Sequence, residues 1–461
     1  MRGRPTTREL SSTYKRMNVP DREENSALLQ NGVGVQTTNP SWQRSLPHVL
    51  VSTITSFLYG YHLGVVNEPL ESISLDLGFS GNTLAEGLVV STCLAGAFVG
   101  SLFSGWIADG VGRCRAFQLS TLPMIIGASI SATTKNLEGM LLGRFLVGTG
   151  MGLGPAVASL YVAEVSPSFV RGTYGSFIQI ATCFGLMGAL FIGIPAKEIV
   201  GWWRVCFWVS AVPAAILALA MVFCAESPHW LYKRGRYAEA EAEFEKLLGE
   251  SYVKSAIGEL SKLDRSDDVE ALSGINAVFY FSSTVFKRVG MPSDLANICV
   301  GVANLSGSIV AMILMDKMGR KGLLLASFTG MAGAMGIQVT AAGSFLPGSA
   351  AMCLSVSGML LFVLTFAVGA GPVPGLLLPE IFPSRIRAKA MAVCLSVHWA
   401  INFFVGLLFL RLLEVLGPQV LYSIFATFCL MAVVFVKRNV IETKGKSLQE
   451  IEITLLPQDV N

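Results

Sequence analysis

Charge is what this chain has least of. Only 14% of its 461 residues are Asp, Glu, Lys or Arg, where a soluble protein carries about a quarter. That shortage excludes a large soluble α/β protein, which would also need its apolar residues divided into short strands. The formal net charge of +3 is too small a surplus to recruit nucleic acid. The nine cysteines show no C-x-x-C spacing. Most lie inside apolar stretches and read as small buried hydrophobes, neither metal ligands nor a disulfide framework. No nucleophile–base pair or metal cluster stands out, and the run Gly148–Gly154 (GTGMGLG) lies within an apolar stretch, not between a strand and a soluble helix. Neither an enzyme nor a bound cofactor is expected. The first 44 residues lack an apolar core, which excludes a secretory signal peptide.

What the chain has instead is apolar length. Hydrophobic residues make up 52%, mean hydropathy is +0.58, and runs of about twenty apolar residues, enough to cross a bilayer as a helix, recur along it. Candidate spans are 46–66, 84–107, 116–134, 139–163, 172–193, 205–224, 271–286, 294–315, 321–343, 351–377, 386–411 and 417–436. Forty-seven glycines, clustered for instance in Gly143–Gly154, suit helices that approach closely where lipid offers no hydrophobic driving force.

Two elements occur twice. D-x-x-G-R stands at Asp109–Arg113 and Asp316–Arg320; E-x-x-P-x-x-x-R stands at Glu164–Arg171 and Glu380–Arg387. Each copy lies at the charged end of an apolar run, the pattern of a duplicated membrane half and of a carrier that rocks one half against the other. Lys and Arg of the short loops fall on one side if twelve spans are present, which places both termini in the cytoplasm or its equivalent. The expected organisation is a disordered tail (1–44), a first transmembrane bundle (45–225) and an amphipathic helical linker on the cytoplasmic face (226–270). A second bundle (271–437) and a cytoplasmic tail (438–461) follow. The basic, hydroxylated Met1–Arg16 also fits an organellar transit segment. The seventh run, Ala271–Phe286, has only 16 residues, so part of that helix looks missing.

These motifs resemble the sugar-porter family of the major facilitator superfamily, the glucose-transporter type. The resemblance runs from about Leu46 to Glu450. It is carried by GWIADGVGR (Gly105–Arg113), GRFLVG (Gly143–Gly148), YVAEVSP (Tyr161–Pro167), ESPHWL (Glu226–Leu231) and LSGINAVFY (Leu272–Tyr280). DKMGRK (Asp316–Lys321), PEIFPSRIR (Pro379–Arg387) and ETKGKSL (Glu442–Leu448) complete it. Tyr61–Leu70 and Gly375 look most like the plant plastidic glucose translocator subgroup. The resemblance implies an all-α membrane protein with the major facilitator fold: two six-helix bundles related by a pseudo-two-fold, here with the seventh helix truncated.

It also implies alternating-access transport of a glucose-like monosaccharide by a monomer in the lipid bilayer. The sugar would be bound by Gln179, Asn276, Asn304, Trp399 and Asn402. Amides both donate to and accept from hydroxyls, and an indole offers a flat apolar face to a pyranose. Asn276 has a second reading, as a polar residue of helix packing. Asp109, Arg113, Glu164, Arg171, Glu226, Asp316, Arg320, Glu380 and Arg387 would form a charge network on the cytoplasmic face that holds the outward-open state. Simple anchoring of loops by positive charge is the competing account. His62 stands where proton-linked relatives place aspartate and facilitators asparagine. It is the candidate coupling residue if protons take part, while facilitated diffusion is the expected mode.

Two departures from the family pattern are Glu270 and Ala271, where two glutamines are expected, and Gly375, where a tryptophan is expected. The first suggests an alternatively spliced, shortened isoform, either a carrier or a regulatory protein that transports poorly. A carrier of myo-inositol or another monosaccharide is a further possibility. The plastid inner envelope is the suspected membrane, with Golgi and plasma membrane as alternatives.

Overall fold

The computed structural model describes residues 40–67, 69–193, 201–260, 293–343, 348–383, 386–448, 450 and 451. Residues 1–39, the seventh run at 271–286, Asn276 and the last ten residues lie outside that set. Among the described residues every regular element is helical. The first part of the chain forms α1 (Trp42–Gly64), α2 (Leu70–Asp76), α3 (Thr83–Val111), α4 (Arg113–Thr133), α5 (Leu137–Val165), α6 (Arg171–Gly193) and α7 (Trp203–Ala220). Three short helices follow: α8 (Pro228–Lys233), α9 (Tyr237–Leu248) and α10 (Glu250–Leu260). The later part forms α11 (Ser293–Met318), α12 (Arg320–Ala341), α13 (Gly348–Val368), α14 (Pro372–Ile381) and α15 (Arg387–Asn439). Non-helical backbone at Gly417 (φ 77°) divides α15 into two lengths.

Ten helices among the described residues are long and apolar enough to cross a membrane. At about 1.5 Å per residue the 29 residues of α5 reach roughly 44 Å, ample for a hydrocarbon core of about 30 Å. Helix α1 is long enough too, with 23 residues, but it is more polar. Its hydroxyls turn back onto its own carbonyls, as from Ser52 Oγ to Val49 O (2.7 Å) and Thr53 Oγ1 to Leu50 O (2.7 Å). It packs against α5, α6 and α7, inside the bundle.

Glycine sets how closely these helices approach. A methyl group on Gly148 or Gly152 of α5 would lie 2.0 Å from the Cys93 or Ala97 carbonyl oxygen of α3, and one on Gly100 2.0 Å from Thr149 O. Backbone therefore meets backbone along the α3–α5 seam, the small-residue packing that membranes favour. One core gathers residues of α1 and α3–α7 around Leu58, Phe117, Met124 and Tyr161. Another gathers residues of α11–α15 around Met315, Phe328, Met331 and Phe366. The two sets of helices meet along α3 with α15, α6 with α11, and α14 with α5 and α6. Those seams bring the duplicated charged elements together.

Candidate functional site

The first D-x-x-G-R element closes α3 and opens α4. Gly112 sits between them at φ 97°, ψ 168° and is the N-cap of α4. This left-handed backbone favours glycine, and a methyl there would also meet Glu226 Oε2 at 2.6 Å. The Glu226 carboxylate accepts the first N–H groups of α4, from Arg113 (2.8 Å) and Cys114 (3.2 Å). A helix N-terminus supplies unpaired donors and positive potential to an anion. Burial pushes the Glu226 carboxyl above its ordinary range, while the N–H groups of Ser227, Arg113 and Cys114 pull the other way.

From that anchored start the Arg113 side chain reaches Glu164 at the end of α5 with two parallel bonds, Nε to Oε2 (2.8 Å) and Nη2 to Oε1 (2.9 Å). Its Nη1 contacts Asp109 Oδ1 at 3.3 Å. Ser227 Oγ donates to the same Glu164 carboxylate. Lys233 Nζ lies 3.2 Å from Asp109 Oδ2, tying α8 to the group. The imidazole of His229, also on α8, packs edge-on to Phe244 at 5.9 Å between ring centres; desolvation pushes its pKa down to about 4.

The second copy repeats the construction. Gly319, at φ 84° and ψ 169°, caps α12, and Glu442 accepts the N–H groups of Arg320 (3.0 Å) and Lys321 (3.1 Å). Arg320 Nη2 bonds Glu380 Oε1 at 3.1 Å, and its Nη1 lies 3.2 Å from Asp316 Oδ1. Thr443 Oγ1 donates to Glu380 Oε2 (2.7 Å), in the place that Ser227 takes beside Glu164.

The two cradles are joined crosswise. Arg387 Nη1, at the start of α15, lies 3.8 Å from Glu164 Oε1; Arg171 Nη1, at the start of α6, lies 4.0 Å from Glu380 Oε1. Each E-x-x-P-x-x-x-R element thus sends its glutamate to its own half's arginine and its arginine to the other half's glutamate. Asp316 also crosses: its Oδ2 accepts Thr173 N (2.9 Å) and Thr173 Oγ1 (2.7 Å). Gly172 makes room for this, since a methyl there would stand 2.0 Å from Asp316 Oδ1. All nine charged residues named from the sequence therefore fall within one cluster.

The uncharged candidates are placed deeper. Asn304 is buried, and its Oδ1 has no hydrogen-bond partner among the described residues. A thin polar thread connects it to Gln179: Gln179 Nε2 lies 3.8 Å from Cys183 Sγ, which lies 3.3 Å from Ser308 Oγ, which donates to Asn304 O at 2.9 Å. Trp399 is buried edge-on to Tyr59 (5.6 Å between ring centres) and His398 (5.3 Å). Asn402 donates through Nδ2 to His398 O at 2.8 Å. Gly375 leaves Ser159 Oγ 3.6 Å from where a β-carbon would stand. No described contact joins Trp399 or Asn402 to Gln179 or Asn304. His62 is buried with neither ring nitrogen hydrogen-bonded.

Glu442, Thr443, Ser227, Thr173 and Gly172 had no assigned part in the sequence reading. A signal for three of them was available. Glu226–Ser227 and Glu442–Thr443 form a third duplicated pair, each a glutamate followed by a hydroxyl residue beyond its half's last span.

Residues 48–455 match the family described as "Sugar (and other) transporter". Among curated relatives, "Probable plastidic glucose transporter 2" of Arabidopsis thaliana is 68% identical over 485 aligned positions, covering 97% of this chain and 98% of the relative. "Probable plastidic glucose transporter 3" of the same plant is 64% identical, covering 99% and 97%. Among solved structures, the major facilitator proton:xylose symporter XylE bound to 6-bromo-6-deoxy-D-glucose superposes with a TM-score of 0.83 at 27% identity, covering 89% of this chain and 99% of that one. The inward-open conformation of XylE from E. coli, covering 89% and 99% at the same identity, gives 0.64. The backbone thus stands well away from the inward-open arrangement, in keeping with charge bridges that join the halves at one face. Motifs, fold and overall match agree: the chain is an all-α membrane protein of the major facilitator fold and belongs to the sugar transporter family.

Proposed function

We propose that this chain carries a glucose-like hexose across a membrane by alternating access, as a facilitator and as a monomer. The relatives named as plastidic glucose transporters support both the hexose and the plastid, with its inner envelope as the membrane. The crossed bridges from Arg387 to Glu164 and from Arg171 to Glu380 carry the mechanistic reading, because they can persist only while the two halves touch. They latch the cytoplasmic face in this reading, and the tight Arg113–Glu164 and Arg320–Glu380 pairs keep each half rigid as it rocks. Residues 45–225 and 271–437 are the moving halves, with 226–270 between them. Gln179, Asn304, Trp399 and Asn402, together with Asn276, supply the sugar's hydrogen bonds and apolar wall.

Facilitation is preferred to proton symport because a coupled cycle needs a group that takes up a proton within the membrane. The charged neighbour of His62 is Arg144, and no described carboxylate lines the pocket they share. Hexose counterflow in proteoliposomes tests this. Uptake should continue when an ionophore dissipates the proton gradient. A collapse of uptake that His62→Asn abolishes would establish symport instead.

One observation favours a second reading, a transport-poor isoform with a regulatory role. The alignment with the 68% identical relative spans 485 positions, more than the 461 residues of this chain, so that relative has residues this chain lacks. We place the deficit before Ala271, in the seventh span. If flux appears only when a full-length seventh helix is restored, the carrier reading fails for this chain and the regulatory one stands.

A further inference from the structure

Five arginines in the described membrane region are almost wholly buried, and four of them face a carboxylate. Arg113 and Arg387 lie against Glu164, and Arg320 and Arg171 against Glu380. Arg144, on α5, is the exception. It is 2% exposed, yet it ion-pairs with no carboxylate among the described residues. Its Nε donates to Val89 O at 3.3 Å, and both Nη atoms reach only the His62 carbonyl, at 3.5 Å each. A guanidinium so removed from water needs more compensation than two carbonyl oxygens at the limit of hydrogen bonding.

Beside it is a small pocket between α1, α3 and α5, with room for little more than one water-sized sphere, lined by His62, Asn67, Cys93, Arg144 and the apolar Val90 and Leu94. His62 is 1% exposed, and neither Nδ1 nor Nε2 has a hydrogen-bond partner among the described residues. Two deficits therefore coincide among the described residues, a buried cation without a counter-charge and a buried imidazole without a hydrogen-bond partner, and both belong to the wall of one pocket.

We propose that this pocket binds a small monovalent inorganic anion of the halide class, with Arg144 as its counter-charge and His62 as a hydrogen-bond donor. One guanidinium balances one negative charge, so a divalent anion would leave a charge uncompensated in a low-dielectric site. The apolar walls disfavour a strongly hydrated oxyanion that needs donors on every side. A neutral imidazole supplies the N–H, so the site does not require His62 to be charged. The proposal concerns binding and stands apart from whether the chain transports sugar.

The test is thermal unfolding of the purified full chain in detergent, with chloride exchanged for gluconate at constant ionic strength. An anion that binds only the folded state raises the apparent Tm saturably. Chloride and bromide should do so, and sulfate should not. His62→Ala should raise half-saturating chloride by about tenfold or more, the worth of one hydrogen bond to a charged group. Arg144→Gln should abolish the response. Should Arg144→Gln fail to fold, the His62→Ala titration decides alone. An unchanged Tm in chloride and gluconate would overturn the proposal, as would a chloride response that survives His62→Ala undiminished.

Discussion

Replacing Gly172 with alanine should open the face that the crossed bridges close. The new methyl would lie 2.0 Å from Asp316 Oδ1, 2.8 Å from Asp316 Cγ and 2.9 Å from Met315 Cγ, so the carboxylate must move. It cannot move freely, because Oδ2 holds the Thr173 N–H and hydroxyl and Oδ1 faces Arg320. Losing two hydrogen bonds to a charged group costs roughly 3–6 kcal/mol in a dry site. The Asp316 side chain is 27% exposed, so about 2–4 kcal/mol is the better figure after solvent screening. The cost falls only on the state in which α6 touches α11. Once the halves part, alanine is harmless in the first turn of a helix.

The equilibrium should therefore shift toward the state open at the bridged face by about 30- to 700-fold. Leu376 is a suitable reporter. It is 2% exposed and faces Gly175 across the same seam, with its Cδ1 2.7 Å from where a Gly175 methyl would stand. With the nine native cysteines replaced, a Leu376→Cys protein should react with maleimide far faster in the Gly172→Ala background. Gly322→Ala is the control, since the nearest atom to a methyl there is 3.9 Å away. Equal labelling rates with and without Gly172→Ala would refute the argument that this contact holds the face shut.

Three further outcomes follow from the same geometry. Glu164→Ala should destabilise the fold by about 3–5 kcal/mol, because it removes the forked partner of the buried Arg113 and leaves that charge only the longer contact to Asp109; an unfolding midpoint near that of the parent would contradict this. Ser227→Ala and Thr443→Val should each cost about 1–3 kcal/mol and do so equally, as pseudo-symmetric donors to Glu164 and Glu380; calorimetry of the two variants compares them directly. His229, with its pKa lowered to about 4 by burial, contributes stability that is fully present above pH 6.5, its unfolded value, and is lost as pH falls toward 4. The pH dependence of Tm across that window should flatten in His229→Gln, and an unaltered slope would exclude His229 as a source.

The bilayer made most of the fold legible from the chain alone, because a spanning helix leaves a run that no soluble element needs. The expected start at 46 and the observed start of α1 at Trp42 differ because Trp42–Ser45 are polar enough to look like tail, yet still complete helical turns. Eight of the nine charged candidates were legible through their duplication; Glu226 came in through the ESPHWL motif. Their pairing was not. Glu164 and Arg171 are neighbours in sequence, and their shared element suggests that they bond each other; instead Arg171 turns to Glu380 and Glu164 receives Arg387. Only the juxtaposition of the two halves decides that, and a motif describes one half at a time. Gly172 was illegible for the same reason, since its neighbour Asp316 is 144 positions away in the sequence. Arg144 hid in a motif, GRFLVG, whose glycines attracted the packing argument.

The distances in the charge cluster divide it into two kinds of bond. Within each half the guanidinium nitrogens stand 2.8–3.1 Å from their glutamates; between halves they stand 3.8–4.0 Å away. Coulomb energy falls only as the inverse of separation, so at equal dielectric the longer pairs keep roughly three quarters of the attraction. What they lack is the hydrogen bond, with its directional demand and its steep loss on displacement. A pair held mainly by charge yields gradually as the halves part, while a hydrogen-bonded pair, forked in the case of Arg113 and Glu164, resists shear within its half. Four arginines and two glutamates thus supply, in the proposed reading, both a stiff frame and a releasable latch, and the difference lies in about one ångström of separation.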